Sequence, residues 1–254
     1  MKDVQKIKQW MENAGKIALE YFANPSLGVD KKNDETIVTE ADLTVEKYLR
    51  EQIRNNFPDH AIIGEEFDVE SGNEFSWILD PIDGSAPFVW NIPSWCISIG
   101  ITKQLQPYMG FVYVPLTGDF YYSVENAAYL NGKVIKTDSE ARVSNDSAFC
   151  ISTRAFNKFT ILNYEGMVFA LGSGIFNNMM VARGSVIGAL SITPSVWDLA
   201  AAVKIVEGAG GKMVYLDGEM LDISLLHESR VATQPVLAAP SHLIDTLLSR
   251  ITMI

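Results

Sequence analysis

Two short apolar stretches of the chain run straight into carboxylates, and these junctions constrain the fold more than any other feature. Residues 61–63 are followed, after one glycine, by Glu65, and residues 77–79 are followed by Asp80 and then Asp83. All residues of each stretch are apolar, so both faces of the segment would be buried, which predicts a short buried strand. Carboxylates at the ends of buried strands are unusual, so both junctions are candidates for a functional site.

The remaining pattern predicts a mixed α/β (α+β) chain. Apolar residues recur at helical spacing over residues 3–23 and about 40–56, which predicts two amphipathic helices. Residues 94–134 alternate between apolar and polar and contain turn signals, including Asn131 followed by Gly132, so they predict an antiparallel meander. Strands and helices then alternate. The predicted strands are residues 148–152, 212–215 and 236–239, and the predicted helices are about 177–183, 195–208 and from 241 onward.

No repeat, low-complexity segment or long linker interrupts this order. We therefore expect one compact unit over residues 1–254. Its approximate halves are residues 1–145, with the helix pair, the acidic junctions and the meander, and residues 146–254, with the alternating elements.

The charge balance excludes some classes of partner. The 254 residues include 20 Lys and Arg against 31 Asp and Glu, for a formal net charge of -11. Nucleic acids and anionic membranes both attract basic surfaces, so neither is an expected partner. Cys96 and Cys150 lie among apolar neighbours and are expected to be buried thiols, and no Cys/His spacing supports zinc. Without a signal-peptide core or an apolar run of ~20 residues, we expect a cytoplasmic protein.

Asp80 and Asp83 lie three residues apart across Pro81, with Gly84 next. Two carboxylates held together resist ionisation unless a cation neutralises them, and oxygen ligands suit Mg²⁺. The structural alternative is an Asx turn in which an aspartate caps the next helix. For Glu65 the alternative is an ordinary solvated strand end.

Asp198 is the one charge in a long apolar stretch. With Ser195 three residues earlier, it fits a capping box at a helix N-terminus. The functional alternative is that Asp198 points from that helix start into a site shared with Asp80 and Asp83.

Taken together and in order, these segments resemble the inositol monophosphatase family of Mg²⁺-dependent, lithium-sensitive phosphatases. The resemblance covers nearly the whole chain. Its motifs are Val38-Thr39-Glu40-Ala41-Asp42, Gly64-Glu65-Glu66, Asp80-Pro81-Ile82-Asp83-Gly84-Ser85, Trp197-Asp198-Leu199-Ala200-Ala201 and the glycine pair after Ala209. It implies a layered αβαβα sandwich.

The resemblance also implies roles for individual residues. Glu65, Asp80 and the carbonyl of Ile82 would hold one Mg²⁺. Asp80, Asp83 and Asp198 would hold a second, and Glu65 would help a third, weaker ion. Asp42 and Ser85 would orient or deprotonate the attacking water, with Glu65 as a further catalytic residue. The backbone N–H groups of Gly84 and Ser85 would bind phosphate oxygens.

The implied activity is Mg²⁺-dependent hydrolysis of a small phosphate monoester similar to inositol 1-phosphate. Two or three ions would activate water and release the alcohol and inorganic phosphate. The bound ions would offset most of the local negative charge, so the acidic net charge does not exclude a phosphorylated substrate.

The sequence departs from the family pattern around the substrate. Ser85 replaces the usual Thr, and Ala86-Pro87 replace polar residues. Ser191 stands where inositol-specific members carry a Glu. Ser173, Arg183 and Ser191, with Asp198, are predicted substrate contacts, although Arg183 also fits a surface helix position.

Three further hypotheses stay open at this stage. The enzyme could act on histidinol phosphate or on a sugar phosphate. A protein of another class, a non-catalytic binding or regulatory protein, could use the same fold. The family resemblance also predicts a homodimer.

Overall fold

The computed structural model describes residues 2–22, 29–31, 37–156 and 158–254. The helices within these residues are α1 Lys2–Tyr21, α2 Glu40–Asn56, α3 Ser85–Val89, α4 Thr153–Phe156, α5 Gly174–Ala182, α6 Val196–Gly208, α7 Ile223–Ser229 and α8 Ile244–Leu248. The strands are β1 Val29–Lys31, β2 Ile37–Thr39, β3 Ala61–Gly64, β4 Phe75–Asp83, β5 Cys96–Lys103, β6 Gln106–Val114, β7 Asp119–Val124, β8 Ala127–Leu130, β9 Lys133–Ile135, β10 Ala148–Ile151, β11 Phe159–Ile161, β12 Met167–Phe169, β13 Gly188–Ser191, β14 Gly211–Tyr215, β15 Val236–Pro240 and β16 Ile251–Met253.

A seven-stranded sheet in the order β3-β4-β5-β6-β7-β8-β9 forms the first half of the fold. Its β4 to β9 strands pair antiparallel, which confirms the predicted meander, whereas β3 runs parallel to β4. Asn131 and Gly132 form the turn between β8 and β9, both with positive φ (50° and 83°), as a tight hairpin turn requires.

Helices α1 and α2 cover one face of this sheet. Their apolar stripes, which include Ile7 and Met11 on α1 and Val45 and Leu49 on α2, are buried against the sheet. This spacing of apolar residues explains why both predicted helices form. Helix α2 spans residues 40–56 as predicted, and α1 ends at Tyr21 within the described residues.

Helices α5 and α6 form the middle layer, between the seven-stranded sheet and a five-stranded sheet. Small residues let α6 approach the first sheet closely. A Cβ added at Gly100 would lie 2.5 Å from Ala200 Cβ, and one added at Gly110 would lie 2.2 Å from the Ala201 carbonyl oxygen. This close contact fixes α6, and with it Asp198 in its first turn, against the strands that carry the other carboxylates.

The five-stranded sheet has the order β12-β10-β13-β15-β14, and α8 packs on its outer side. The resulting order of layers is helix pair, sheet, helix pair, sheet, helix, which is the expected αβαβα sandwich. Both cysteines are buried free thiols. Within the described residues, no helix combines the length and apolar composition needed to cross a bilayer.

The structure corrects two boundaries that the sequence predicted. Strand β4 does not end at Leu79 but continues to Asp83, with a shift of register against β5 between Asp80 and Asp83. This irregularity accommodates Pro81, which has no N–H to donate. At the C-terminus the chain forms β16 after α8, and β16 pairs with β11, a strand that the pattern did not predict.

Candidate metal centre

A cavity of about 640 Å³ opens where the ends of β3, β4, β10 and β13 meet the first turns of α3, α5 and α6. Nine of the residues predicted from the sequence line it: Glu65, Asp80, Ile82, Asp83, Gly84, Ser85, Ser173, Ser191 and Asp198. The fold thus brings together segments that lie more than one hundred residues apart in the chain.

Three carboxylates form the centre of this cavity. Asp80, Asp83 and Asp198 each present an oxygen within 4.8 Å of the others. Asp80 and Asp83 are buried, and Asp198 is half-buried. Burial raises the pKa of all three groups, and repulsion from neighbouring carboxylates raises the pKa of Asp80 and Asp198 further. Without a cation, therefore, the cluster is electrostatically unfavourable in its ionised form.

Asp83 is fixed by the N-terminus of α5. Its Oδ2 accepts hydrogen bonds from the backbone N–H of Ile175 (2.7 Å) and from the hydroxyl of Ser173, and its Oδ1 accepts from the N–H of Gly174 at 3.2 Å. Ser173 is predicted to contact substrate, but its hydroxyl is engaged in holding Asp83. The capping alternative is thus partly correct, since an aspartate of this junction caps a helix, although the helix is α5 rather than the next one in the chain.

The carboxylates of Asp198 and Asp80 differ in the hydrogen bonds that they accept. Asp198 Oδ2 accepts from the Ser195 N–H at 2.6 Å, so the predicted capping box is present and Asp198 still faces the cavity. Asp80 Oδ1 is buried without a hydrogen-bond partner among the described residues. A buried carboxylate oxygen without a donor is costly. A hard cation would remove that cost, and an all-oxygen ligand set fits Mg²⁺.

A buried ion pair on α2 holds the loop that carries Glu65. Glu46 is fully buried, and its carboxylate accepts from Arg50 Nε (2.8 Å) and from the backbone N–H groups of Glu66 (2.8 Å) and Phe67 (3.3 Å). Arg50 also donates to the Phe67 carbonyl at 3.0 Å. We call Glu46, Arg50 and these backbone contacts the loop clamp.

No pattern in the sequence predicts the loop clamp. Its contacts join α2 to the loop after β3, about twenty residues later in the chain, so no local pattern indicates them. Gly64, the last residue of β3, permits the arrangement, because a Cβ there would lie 1.8 Å from Glu46 Oε1.

Gly84 and Ser85 begin the short helix α3. Gly84 has φ 96°, a left-handed conformation that favours glycine. The N–H groups at the start of a helix have no partner within it, and those of Gly84 and Ser85, the predicted phosphate contacts, lie at this start. Ser85 Oγ donates to the carbonyl oxygen of Ile82 at 3.4 Å. Pro87 falls in the first turn, where its missing N–H costs no helical hydrogen bond.

The predicted action of Asp42, together with Ser85, on the attacking water stays a prediction. Asp42 does not line the cavity, and its Oδ2 accepts from the N–H (2.8 Å) and hydroxyl (2.6 Å) of Thr39, as the capping box of α2. Burial raises the pKa of Asp42 to about 7, and Glu66 and Glu65 add to the rise. The charge of Asp42 in turn helps to raise the pKa of Asp80, so the two carboxylates interact electrostatically.

Arg183 is also placed differently from the prediction. It lies outside the cavity lining, and its guanidinium donates to the hydroxyl of Tyr121 (3.2 Å) and lies 3.8 Å from Asp119. The residue caps the C-terminal end of α5, whereas the cavity is at the other end of that helix. Arg183 therefore has the position and contacts of the surface-helix alternative, and a contact between Arg183 and the substrate stays a prediction.

Several cavity residues were missed by the sequence reasoning: Ser152, Thr153, Arg154, Asn177, Asn178, Thr193, Ser195 and Trp197. Three of them carried a signal. Arg154 follows the buried strand β10 after two polar residues, and Asn177 and Asn178 form a polar pair inside an otherwise apolar helix.

Comparison with known proteins agrees with this geometry. Residues 1–251 match the inositol monophosphatase family. A histidinol-phosphatase of Chlorobaculum parvum is 33% identical over 235 residues, which cover 86% of this chain and 90% of that protein. A fructose-1,6-bisphosphatase/inositol-1-monophosphatase of Aquifex aeolicus is 32% identical over 225 residues, which cover 84% and 82%.

A solved structure of an IMPase/NADP phosphatase, complexed with Mg²⁺ and phosphate, has the same fold. Its TM-score is 0.80 at 21% identity, and the similarity covers 98% of this chain and 94% of that one. The family match over nearly the whole chain and the two phosphatase relatives lead to one conclusion: this chain belongs to the inositol monophosphatase family and is a phosphoric monoester hydrolase.

Proposed function

We propose that the protein hydrolyses a small phosphate monoester with the help of two to three Mg²⁺ ions bound in the cavity. The observation that carries this proposal is the carboxylate cluster, in which the ligand oxygens of Asp80, Asp83 and Asp198 lie within 4.8 Å of one another. Glu65 and the carbonyl of Ile82 complete the proposed ligand set. The similar structure that contains Mg²⁺ and phosphate supports this choice of ion.

When bound, the cations neutralise phosphate charge and lower the pKa of a water molecule. The chain supplies the orientation. The N–H groups of Gly84 and Ser85 bind phosphate oxygens, and Asp83 is kept in place by α5. Glu65 and Ser85 line the same cavity and orient the attacking water, whose proton passes to Glu65. The water oxygen bonds to phosphorus as the P–O bond to the alcohol breaks. The leaving oxygen takes up the proton from Glu65, so the products are the free alcohol and inorganic phosphate.

The physiological alcohol is a separate matter. Relatives of similar identity are named for histidinol phosphate and for fructose bisphosphate or inositol phosphate, and these alcohols differ in charge. Our primary proposal is an inositol-1-phosphate-like ester, with histidinol phosphate and sugar phosphates as alternatives. A non-catalytic binding protein on this fold is not supported, since both relatives are phosphatases.

The test is phosphate release with Mg²⁺ from a panel of inositol 1-phosphate, histidinol phosphate and sugar phosphates. We expect Mg²⁺-dependent release from at least one ester and none after chelation. No release from any ester by folded, Mg²⁺-loaded protein would contradict the proposed activity.

We also expect the stability of the metal-free protein to fall as pH rises. The pKa values of Asp80, Asp83 and Asp198 are raised in the folded state, and that of Asp42 is raised to about 7. The folded state therefore holds these protons more tightly than the unfolded state does. The resulting contribution to the free energy of unfolding is fully present below the ordinary pKa of 3.8 and is lost as pH rises. For Asp42 the loss is complete once the pH exceeds its folded-state pKa of about 7.

For Asp42 alone the full shift corresponds to roughly 4 kcal/mol. Because Mg²⁺ binds the deprotonated carboxylates, its stabilising effect should increase over the same pH range. Urea unfolding at about pH 5 and about pH 8, with chelator and with Mg²⁺, measures both effects. Parallel pH profiles with and without Mg²⁺ would contradict the assignment.

A homodimer, which the family resemblance predicts, and a cytoplasmic location, which the sequence predicts on its own, are further proposals.

A further inference from the structure

The loop between β13 and α6 forms a continuous part of the cavity wall. Ser191, which ends β13, and residues 192–195 of the loop all line the cavity, and Asp198 follows in the first turn of α6. The backbone of one residue in this loop is unusual. Thr193 has φ 45°, in the left-handed region that residues other than glycine rarely adopt.

This conformation is costly for Thr193 for two reasons. A β-branched side chain crowds its own backbone at positive φ, and the following Pro194 favours a φ of about −120° for the residue before it. Of the described residues other than glycine that have positive φ, Thr193 is the one that is β-branched and the one that lines the cavity. Backbone strain of this kind is concentrated at functional sites and persists where the surrounding structure enforces it.

The chain is held on both sides of Thr193. Before it, Ser191 pairs with β15 inside the five-stranded sheet. After it, the Pro194 carbonyl accepts from the N–H of Ala232 at 2.9 Å, and the next loop residues bond to the segment before Ala232. These contacts fix the path of the loop, so the bend between them falls on Thr193.

The side chain of Thr193 adds chemistry to the wall that a glycine would not. A glycine would adopt the same backbone without strain but would offer no side-chain group. Thr193 is exposed, and its hydroxyl makes no hydrogen bond with another residue that the structure describes. That hydroxyl can both donate and accept a hydrogen bond. The cavity beside it, of about 640 Å³, has room for the alcohol part of an ester.

We infer that Thr193 is a specificity-determining residue, whose hydroxyl forms a hydrogen bond with a hydroxyl group on the alcohol part of the ester. This inference rests on the proposed phosphatase function and adds a residue to it. It agrees with an ester similar to inositol 1-phosphate, whose alcohol has several free hydroxyl groups. In histidinol phosphate the hydroxyl is itself esterified, so that ester has no free hydroxyl for Thr193 to bond.

The experiment compares three variants at Thr193 that separate its hydroxyl, its shape and its strain. Thr193→Val keeps the shape without the hydroxyl, Thr193→Ser keeps the hydroxyl, and Thr193→Gly removes the side chain and the strain together. The control is Glu125→Gly, because Glu125 is exposed, has φ 54° in the turn after β7 and lies outside the cavity lining.

Four quantities are measured for each protein with Mg²⁺. They are kcat and KM for inositol 1-phosphate, glucose 1-phosphate and histidinol phosphate, the inhibition constant of inorganic phosphate, and the midpoint of urea unfolding. Inorganic phosphate has no alcohol part, so its inhibition constant reports on the phosphate and metal sites alone.

We expect the wild type to prefer one of the two hydroxylated esters. Thr193→Val should raise KM for that ester about 5- to 10-fold with little change in kcat, as expected for one lost hydrogen bond, and should leave the inhibition constant of phosphate unchanged. Thr193→Ser should stay within about twofold of the wild type.

Thr193→Gly should bind that ester as weakly as Thr193→Val does, yet be more stable than the wild type. Relief of the strain should raise its urea midpoint by about 0.3 M. Glu125→Gly should also raise the midpoint and leave every kinetic constant unchanged. If Thr193→Val does not fold, Thr193→Gly supplies the same test of KM.

A more stable Thr193→Gly with the wild-type KM would overturn the inference, since the side chain would then have no part in binding. An equal rise in KM and in the inhibition constant of phosphate would also overturn it, because the loop would then act on the phosphate or metal sites. A wild type that prefers histidinol phosphate would overturn it and leave the phosphatase function intact. No release from any ester by the wild type would overturn the proposed function itself, and the inference with it.

Discussion

Replacement of Asp80 by asparagine is expected to reduce Mg²⁺-dependent phosphate release about a thousandfold while the protein stays folded. The Asp80 carboxylate is buried at the centre of the cluster, and one of its oxygens has no donor among the described residues. An amide keeps the size of the side chain but removes the negative charge that a cation needs. Phosphate release under saturating substrate measures the loss.

Asp80→Asn is also expected to change stability in a way that the replacement of a purely structural aspartate would not. The pKa of Asp80 is raised by burial and by Glu65, Asp83 and Asp198, so its ionised form opposes folding without metal. Metal-free Asp80→Asn should therefore be at least as stable as the metal-free wild type at about pH 8, and Mg²⁺ should stabilise it less.

Asp245→Asn, an exposed aspartate on α8, is the matched control and should change neither activity nor the response to Mg²⁺. Undiminished turnover by Asp80→Asn would show that the cluster is not the metal centre. Loss of activity through unfolding would appear as a lower midpoint in urea and would not count in favour of the assignment.

Replacement of Glu46 by glutamine in the loop clamp should lower the free energy of unfolding by about 2 kcal/mol, because Arg50 loses a buried charged partner but keeps its ion pair with Glu70. The pKa of Glu46 is raised by burial, yet its ionised form accepts from Arg50 and from two backbone N–H groups of the loop. A glutamine of the same size can accept only part of this network. Urea unfolding measures the loss of stability.

The Glu46 variant should also need more Mg²⁺. Since the clamp orders the loop that carries Glu65, a looser loop weakens a ligand of the metal, and residues that support a ligand typically contribute 10- to 100-fold in metal affinity. We expect the Mg²⁺ concentration for half-maximal activity to rise about tenfold. Glu51 is an exposed residue of the same helix, and the control variant Glu51→Gln should leave this Mg²⁺ concentration unchanged. A destabilised Glu46→Gln with the wild-type Mg²⁺ requirement would restrict the clamp to a structural role.

The fold was predictable from the sequence because its local signals agree with its long-range packing. The amphipathic stripe of α2, the meander and the Asn131–Gly132 turn are all local patterns, and each has its predicted form. The capping box at Ser195 is the structural alternative to a functional role for Asp198. In the structure the box is present, and Asp198 caps its helix while facing the cavity.

What the sequence did not predict depends on contacts between distant segments. Asp83 is held by α5, about ninety residues later, and Glu46 holds the loop after β3. Arg183 was expected at the substrate because its segment is near the cavity, but it lies at the far end of α5. Arg154 went unnoticed because a single arginine after a strand has no motif around it.

The carboxylates of Asp80, Asp83 and Asp198 lie close together in the structure. That they bind Mg²⁺ is a prediction. One measurement tests it most directly: phosphate release by metal-stripped wild-type protein during titration with Mg²⁺, with binding followed calorimetrically in the same preparation. We expect no release from the stripped protein, saturable binding of two to three ions, and activity that appears as they bind. Full activity in the presence of a chelator, without bound metal, would contradict the account.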